Sequence, residues 1–131
     1  MKAAIRKKYG SPDQIKIESI DKPISKEDEV LIKVHASTVN RTDCANLTAK
    51  PLLMRFVLGL FKPKQIILGT DYAGEIISKG ENVTSFDIGD RVFGFNDIGS
   101  KSHAEYITTT IKNLFHIPSN CLLYTSPSPR D

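Results

Sequence analysis

The chain has no tryptophan, only two cysteines among 131 residues, and no long apolar run. Cys44 and Cys121 cannot make a disulfide framework. The longest apolar stretch, residues 51–61, is interrupted by Arg55 and is roughly half of the ~20 residues a membrane span requires. The opening Met1-Lys2-Ala3-Ala4-Ile5-Arg6 returns to charge before an apolar segment builds, so no secretory signal is read there. Charge of one sign is also scarce: 18 Lys and Arg against 15 Asp and Glu leave +3, with no block of like charges to grip nucleic acid. Neither GxGxxG nor GxxxxGK[ST] occurs, so neither type of phosphate-cradling loop is encoded. These absences argue against a disulfide-stapled secreted protein, a membrane span and a nucleic-acid partner. A reducing, cytoplasmic setting is the expectation.

What is present fits one mainly β domain, since 40% hydrophobic and 25% charged residues suffice for a core of this size. Residues 30–39 (VLIKVHASTV) are the strongest strand, with Val30, Ile32 and Val34 on one face and Leu31, Lys33 and His35 on the other. Further strands are expected at 2–7, 15–20, 66–68, 72–78, 91–95, 104–110 and 114–117. Residues 52–61 read as a helix opened by Pro51. Gly69, Gly74, Gly80, Gly89, Gly94 and Gly99 mark tight corners of a compact β structure, a small barrel or sandwich.

The text changes character at Cys121. Residues 121–131 (CLLYTSPSPRD) have the composition of a disordered Ser/Pro tail. Codon by codon they also back-translate to a string resembling the end of a transposase-based DNA-sequencing adapter. Native text is therefore expected to stop near Asn120, making residues 1–120 the domain and the chain a truncated reading frame.

The run Gly69-Thr70-Asp71-Tyr72-Ala73-Gly74-Glu75-Ile76, then Gly80, Val83, Phe86 and Gly89-Asp90-Arg91-Val92, forms a long spaced pattern. With Met1-Lys2-Ala3, Glu29-Val30-Leu31-Ile32-Lys33-Val34 and Ala104-Glu105-Tyr106, it resembles the amino-terminal domain of the medium-chain dehydrogenase/reductase superfamily, in its zinc-independent quinone-oxidoreductase branch. The resemblance covers residues 1–120. It implies a GroES-like β-barrel with one or two short helices. It also implies a parent enzyme, homodimeric as is common in that family, that uses NAD or NADP to pass hydride to a quinone, an enone or a similar small electrophile. The Rossmann domain of that family has no counterpart in these 131 residues, so the fragment itself is expected to be inactive.

The metal question can be put residue by residue. Catalytic zinc needs about three His, Cys or carboxylate ligands and one open position. Where the zinc branch has a Cys-Arg-Ser/Thr-Asp segment, this chain has Asn40-Arg41-Thr42-Asp43; where that branch has Gly-His-Glu, it has Gly69-Thr70-Asp71. No zinc is expected. The resemblance makes Asn40 and Thr42 catalytic candidates: an amide donor to a substrate oxygen and a proton-relay hydroxyl. It sets Asn40, Arg41 and Thr42 along the cofactor, with Arg41 suited to phosphate. Thr70 and Phe95 are candidates for the substrate pocket. Asp43, Asp71, Gly69, Gly74, Gly89 and Asp90 are read as structural. Ala45 stands where the quinone-reductase pattern often carries a tyrosine.

Plainer readings stand beside these. Asn40 and Asp43 after a strand are turn formers, Arg41 is a solvated charge, and the helix at 52–61 is a packed lid rather than a substrate-entry cap. Cys44 reads as a small buried hydrophobe. His35, His103 and His116 have no ligand spacing. The rival function is a stand-alone GroES-like binding or co-chaperone module without enzymatic activity.

Overall fold

The computed structural model describes residues 1–50, 53, 56, 59, 63, 66–96 and 100–121. The helix expected over 52–61, apart from Leu53, Phe56 and Gly59, lies outside these residues, as does the tail beyond Cys121.

Among the described residues, alternation of apolar residues drives seven strands into two antiparallel sheets. β1 (Lys2–Arg6) and β2 (Ile15–Ser19) form a pair, reversed through a 3-10 turn at Pro12–Gln14. The larger sheet contains β3 (Glu29–Ala36), β4 (Asp71–Lys79), β5 (Arg91–Phe95), β6 (Tyr106–Thr110) and β7 (Leu114–His116), in the order β6-β3-β4-β5-β7. Isolated bridges Ala3↔Ala104 and Ile5↔Ile67 tie the small pair to the connections of the large sheet. One α-helix, α1 (Arg41–Thr48), follows β3.

The predicted inward face of β3 is the core. Val30 and Ile32 are fully buried and pack with Tyr72, Ile76, Val83, Phe86, Val92, Ile107 and Leu114, with Val34 against them. Each such aliphatic burial contributes about 1.5–3 kcal/mol. Leu31, assigned by alternation to the other face, is buried too. Two register shifts in β3, at Leu31/Ile32 and Val34/Ala36, bend the strand where it meets β4. Gly74 sits at this junction opposite Val34, and a Cβ there would lie 2.2 Å from the Lys33 carbonyl oxygen. Only a hydrogen fits.

Four expectations are corrected. Residues 66–68 supply a single bridge, Ile67 with Ile5, rather than a strand, because their backbone bonds divide between β1, where Arg6 N donates to the Ile66 carbonyl, and His103, whose N–H donates to the Leu68 carbonyl. The strand over 30–39 stops at Ala36, because the chain turns there into α1, whose N-cap is Asn40. The strand over 104–110 begins at Tyr106. Cys44 is exposed on α1 rather than buried, since that helix buries Asp43, Asn46 and Leu47 instead.

β7 is held at the sheet edge by His116, whose ring stacks on Phe86 with centroids 4.5 Å apart and whose Nε2 lies 3.0 Å from Asp90 Oδ2. The same carboxylate oxygen accepts the Asp87 backbone N–H. That hydrogen bond first, and His116 second, hold the Asp90 carboxyl below its ordinary 3.8. The resulting stabilisation is complete above that value and is lost as pH falls through the lower folded-state value. Asp90→Asn is therefore expected to lower the urea midpoint at neutral pH and to flatten its fall in acid, measured by equilibrium unfolding from pH 2 to 7. The effect is small, because the pair is solvent-accessible and screened. Gly74→Ala is expected to cost more, about 1–3 kcal/mol by overpacking against backbone, read in the same assay at neutral pH.

Candidate functional site

The candidate site forms where β3 ends, α1 begins and β4 begins. Asn40 is the N-cap of α1. Its Oδ1 accepts the backbone N–H of Thr42 at 2.9 Å and of Asp43 at 3.2 Å. Asp43 replies through Oδ2, which accepts the Asn40 backbone N–H at 3.0 Å. This reciprocal capping satisfies three otherwise orphaned donors and puts a carboxylate at the positive end of the helix. Asp43 is 2% exposed, and its Oδ1 has no partner.

With its oxygen committed to the helix, Asn40 has its Nδ2 group free to face β4. It donates to Thr70 Oγ1 at 2.6 Å. Thr70 is completely buried, and its carbonyl accepts from Asn96 N at 2.7 Å and Ser100 Oγ at 2.8 Å. Gly69 before it has φ +112°, and a Cβ there would strike Ser102 Oγ at 2.2 Å. A left-handed, crowded position of this kind is glycine's alone. Asp71 after it binds back to the β3–α1 connection: Oδ1 accepts Thr38 N at 2.8 Å, and Oδ2 accepts the Thr38 hydroxyl. Ser37 Oγ donates to the Asp71 carbonyl at 2.8 Å and lies 3.1 Å from Ser102 Oγ. His103 Nε2 lies 3.0 Å from the Thr38 carbonyl oxygen.

The fold thus gathers Asn40, Thr42, Asp43, Gly69, Thr70 and Asp71. Arg41 is exposed in the first turn of α1, and Thr42 is half-buried beside it. Phe95, 49% exposed, pairs with Asp71 at the near end of β5. Gly74 lies further along β4, while Gly89 and Asp90 belong to the turn at the far end of the β4–β5 hairpin. Thr38, Ser37 and Ser102 carry no signal in the sequence reading, which treats His103 only as a histidine without ligand spacing. The segment Asn40-x-x-Asp43 forms a capping box, and its spacing is the one sequence signal that could have pointed to α1.

Zinc ligation asks for thiolate, imidazole or carboxylate donors. Asn40 and Thr70 supply an amide and a hydroxyl, already bonded to each other. No group of three or more His, Cys, Asp or Glu able to hold a metal occurs among the described residues. Among those residues, too, no helix is long and apolar enough to cross a membrane.

Two bent antiparallel sheets with a capped helix at the mouth of the central strand pair define a GroES-like β domain. Residues 26–119 match the family described as the alcohol dehydrogenase GroES-like domain, and the chain belongs to that family. Its relatives are oxidoreductases. Quinone oxidoreductase of Sus scrofa is 36% identical over 116 residues, covering 85% of this chain and 32% of the relative. The Homo sapiens quinone oxidoreductase is 36% identical over 115 residues, covering 84% and 31%. The chain therefore spans about a third of the length of these relatives. Quinone oxidoreductase from Coxiella burnetii superposes with a TM-score of 0.80 at 25% identity, covering 95% of this chain and 39% of that one. The Escherichia coli quinone oxidoreductase complexed with NADPH gives 0.76 at 19% identity, with 94% and 35% covered, a likeness of fold.

Asn40→Ala is expected to cost about 0.5–2 kcal/mol of stability through loss of the cap. Asn40→Asp keeps a capping oxygen and is expected to stay within about 0.5 kcal/mol of wild type. Thermal unfolding of both variants checks the order.

Proposed function

We propose that this chain is the substrate-side domain of an NAD(P)H-dependent oxidoreductase that works without catalytic zinc and reduces a quinone, an enone or a similar small carbonyl electrophile. The observation that carries the reading is the Asn40 Nδ2–Thr70 Oγ1 hydrogen bond, between the two positions that the resemblance equates with ligands of the zinc branch. The identity to quinone oxidoreductases supports the substrate class.

A nicotinamide cofactor held along Asn40, Arg41 and Thr42 would supply the hydride. The chain's own groups do the rest. Nδ2 carries two N–H groups, so Asn40 bonds Thr70 with one and offers the other to the substrate oxygen, where charge develops as hydride arrives. The Thr42 hydroxyl, in the first turn of α1, moves the proton to that oxygen. Arg41 gains nothing from its own helix, because a cation at a helix N-terminus is disfavoured by the macrodipole; a cofactor phosphate is the partner that suits it. Phe95 presents an exposed apolar ring to the substrate, and buried Thr70 fixes the Asn40 amide.

Because the quinone oxidoreductases it resembles are about three times as long, turnover is assigned to a protein joining this domain to a nucleotide-binding one. The test begins with the source DNA, sequenced across codon 120 using primers free of adapter sequence, and with expression of the longer protein it encodes. NADPH oxidation by 1,4-benzoquinone is expected, unchanged by 1,10-phenanthroline. Asn40→Asp is expected to lower kcat about 10²-fold, the usual scale for one lost oxyanion donor. Turnover abolished by the chelator, or no turnover with any quinone or enone, contradicts the proposal. A stop codon after Asp131 in genomic DNA points to the lone binding module.

A further inference from the structure

We propose that Asp71 is the positioning residue of this site: its carboxylate closes a side-chain ring that sets where the Asn40 amide points. The inference rests on the function proposed above for its catalytic consequence, and on geometry alone for the ring. Following the chain back from Asn40 leads through Val39 to Thr38. Thr38 donates its backbone N–H to Asp71 Oδ1 at 2.8 Å and its hydroxyl to Oδ2. Asp71 is covalently next to Thr70, and Thr70 Oγ1 accepts from Asn40 Nδ2 at 2.6 Å. One carboxylate thus fixes both sides of the Asn40–Thr70 contact.

Apolar packing does not do this work. Val39, the residue between the two anchor points, is 77% exposed. The connection between Ala36 and Arg41 is therefore held by hydrogen bonds, and the strongest available are those to an ionised carboxylate, about twice as strong as neutral ones. Ser37, bonded to the Asp71 carbonyl, reinforces the same attachment through backbone that a side-chain substitution leaves in place. A wandering N-cap carries its amide away from the reacting oxygen, and misplacement of about 1 Å can cost roughly 10²-fold in rate. Asp71 touches neither substrate nor cofactor in this account; it acts through Asn40.

Asp71→Ala opens the ring. Asp71→Asn keeps an acceptor for Thr38 N and turns a donor toward the Thr38 hydroxyl, which then accepts. Two readouts separate the ring from the reaction. In the 131-residue chain, amide hydrogen exchange at Thr38 and Asn40 is expected to rise at least about 10-fold in Asp71→Ala and to return toward wild type in Asp71→Asn. In the longer protein, kcat for quinone reduction is expected to fall about 10- to 100-fold in Asp71→Ala with KM nearly unchanged, and to recover in Asp71→Asn. Thr38→Val, which removes only the hydroxyl bond at an exposed position, gives a smaller shift of the same sign and replaces Asp71→Ala if that variant does not fold. Unchanged exchange at Thr38 and Asn40 overturns the ring. Raised exchange with unchanged kcat, or a loss confined to KM, overturns the positioning role. A wild-type protein that reduces no quinone defeats the proposed function, while the exchange data still decide the ring.

Discussion

The pairing of β3 with β4 is the constraint on which the site depends. It is antiparallel, shifted twice, and tight enough at Gly74 that no Cβ fits. Because Ala36 lies opposite Ala73, the chain leaving β3 emerges beside the chain entering β4. That register sets residues 37–40 against 69–71, where hydrogen bonds join them. The apolar core lies elsewhere, around Ile32, Ile76 and Val92, and supplies the rigidity rather than the chemistry. The site is a polar seam on the edge of a hydrophobic body.

Most polar groups of the seam have a specific partner, and buried side-chain atoms without one occur near α1, at Asp43 and Arg6, and on β3, at His35. Asn40 divides its amide between the helix and Thr70; Asp71 gives both oxygens to Thr38. Asp43 keeps a buried oxygen without a partner, and Arg6, 2% exposed, keeps an unpartnered Nε while its guanidinium reaches the Asn46 carbonyl of α1. Burial lowers the pKa of that guanidinium, whereas Tyr9 raises it. The helix is accordingly tethered at its start by Asn40 and in its later turn by Arg6 and by Gly10, whose N–H donates to the Leu47 carbonyl.

Much of the sheet was legible because alternation has a physical period: Val30, Ile32 and Val34 announce β3 and its buried face. α1 was harder. Arg-Thr-Asp-Cys-Ala-Asn-Leu-Thr has no apolar stripe, and Thr42 and Asp43 in its first turn also suit turns. Its one signature was the Asn40–Asp43 spacing, which gives equally well a turn or a cap. The Asn40–Thr70 contact, between residues thirty positions apart, follows from register and bulges that no local pattern encodes. Thr38 was invisible for the same reason. A threonine after a strand carries no mark of the carboxylate it will meet.

The central claim is that an amide–hydroxyl hydrogen bond occupies the place of a metal site. Calorimetric titration of the chain with Zn2+ at neutral pH tests it most directly. The account predicts no one-to-one binding at micromolar affinity, in wild type or in Asn40→Asp. A stoichiometric, tight zinc isotherm that Asn40→Ala or Thr70→Val abolishes would contradict it.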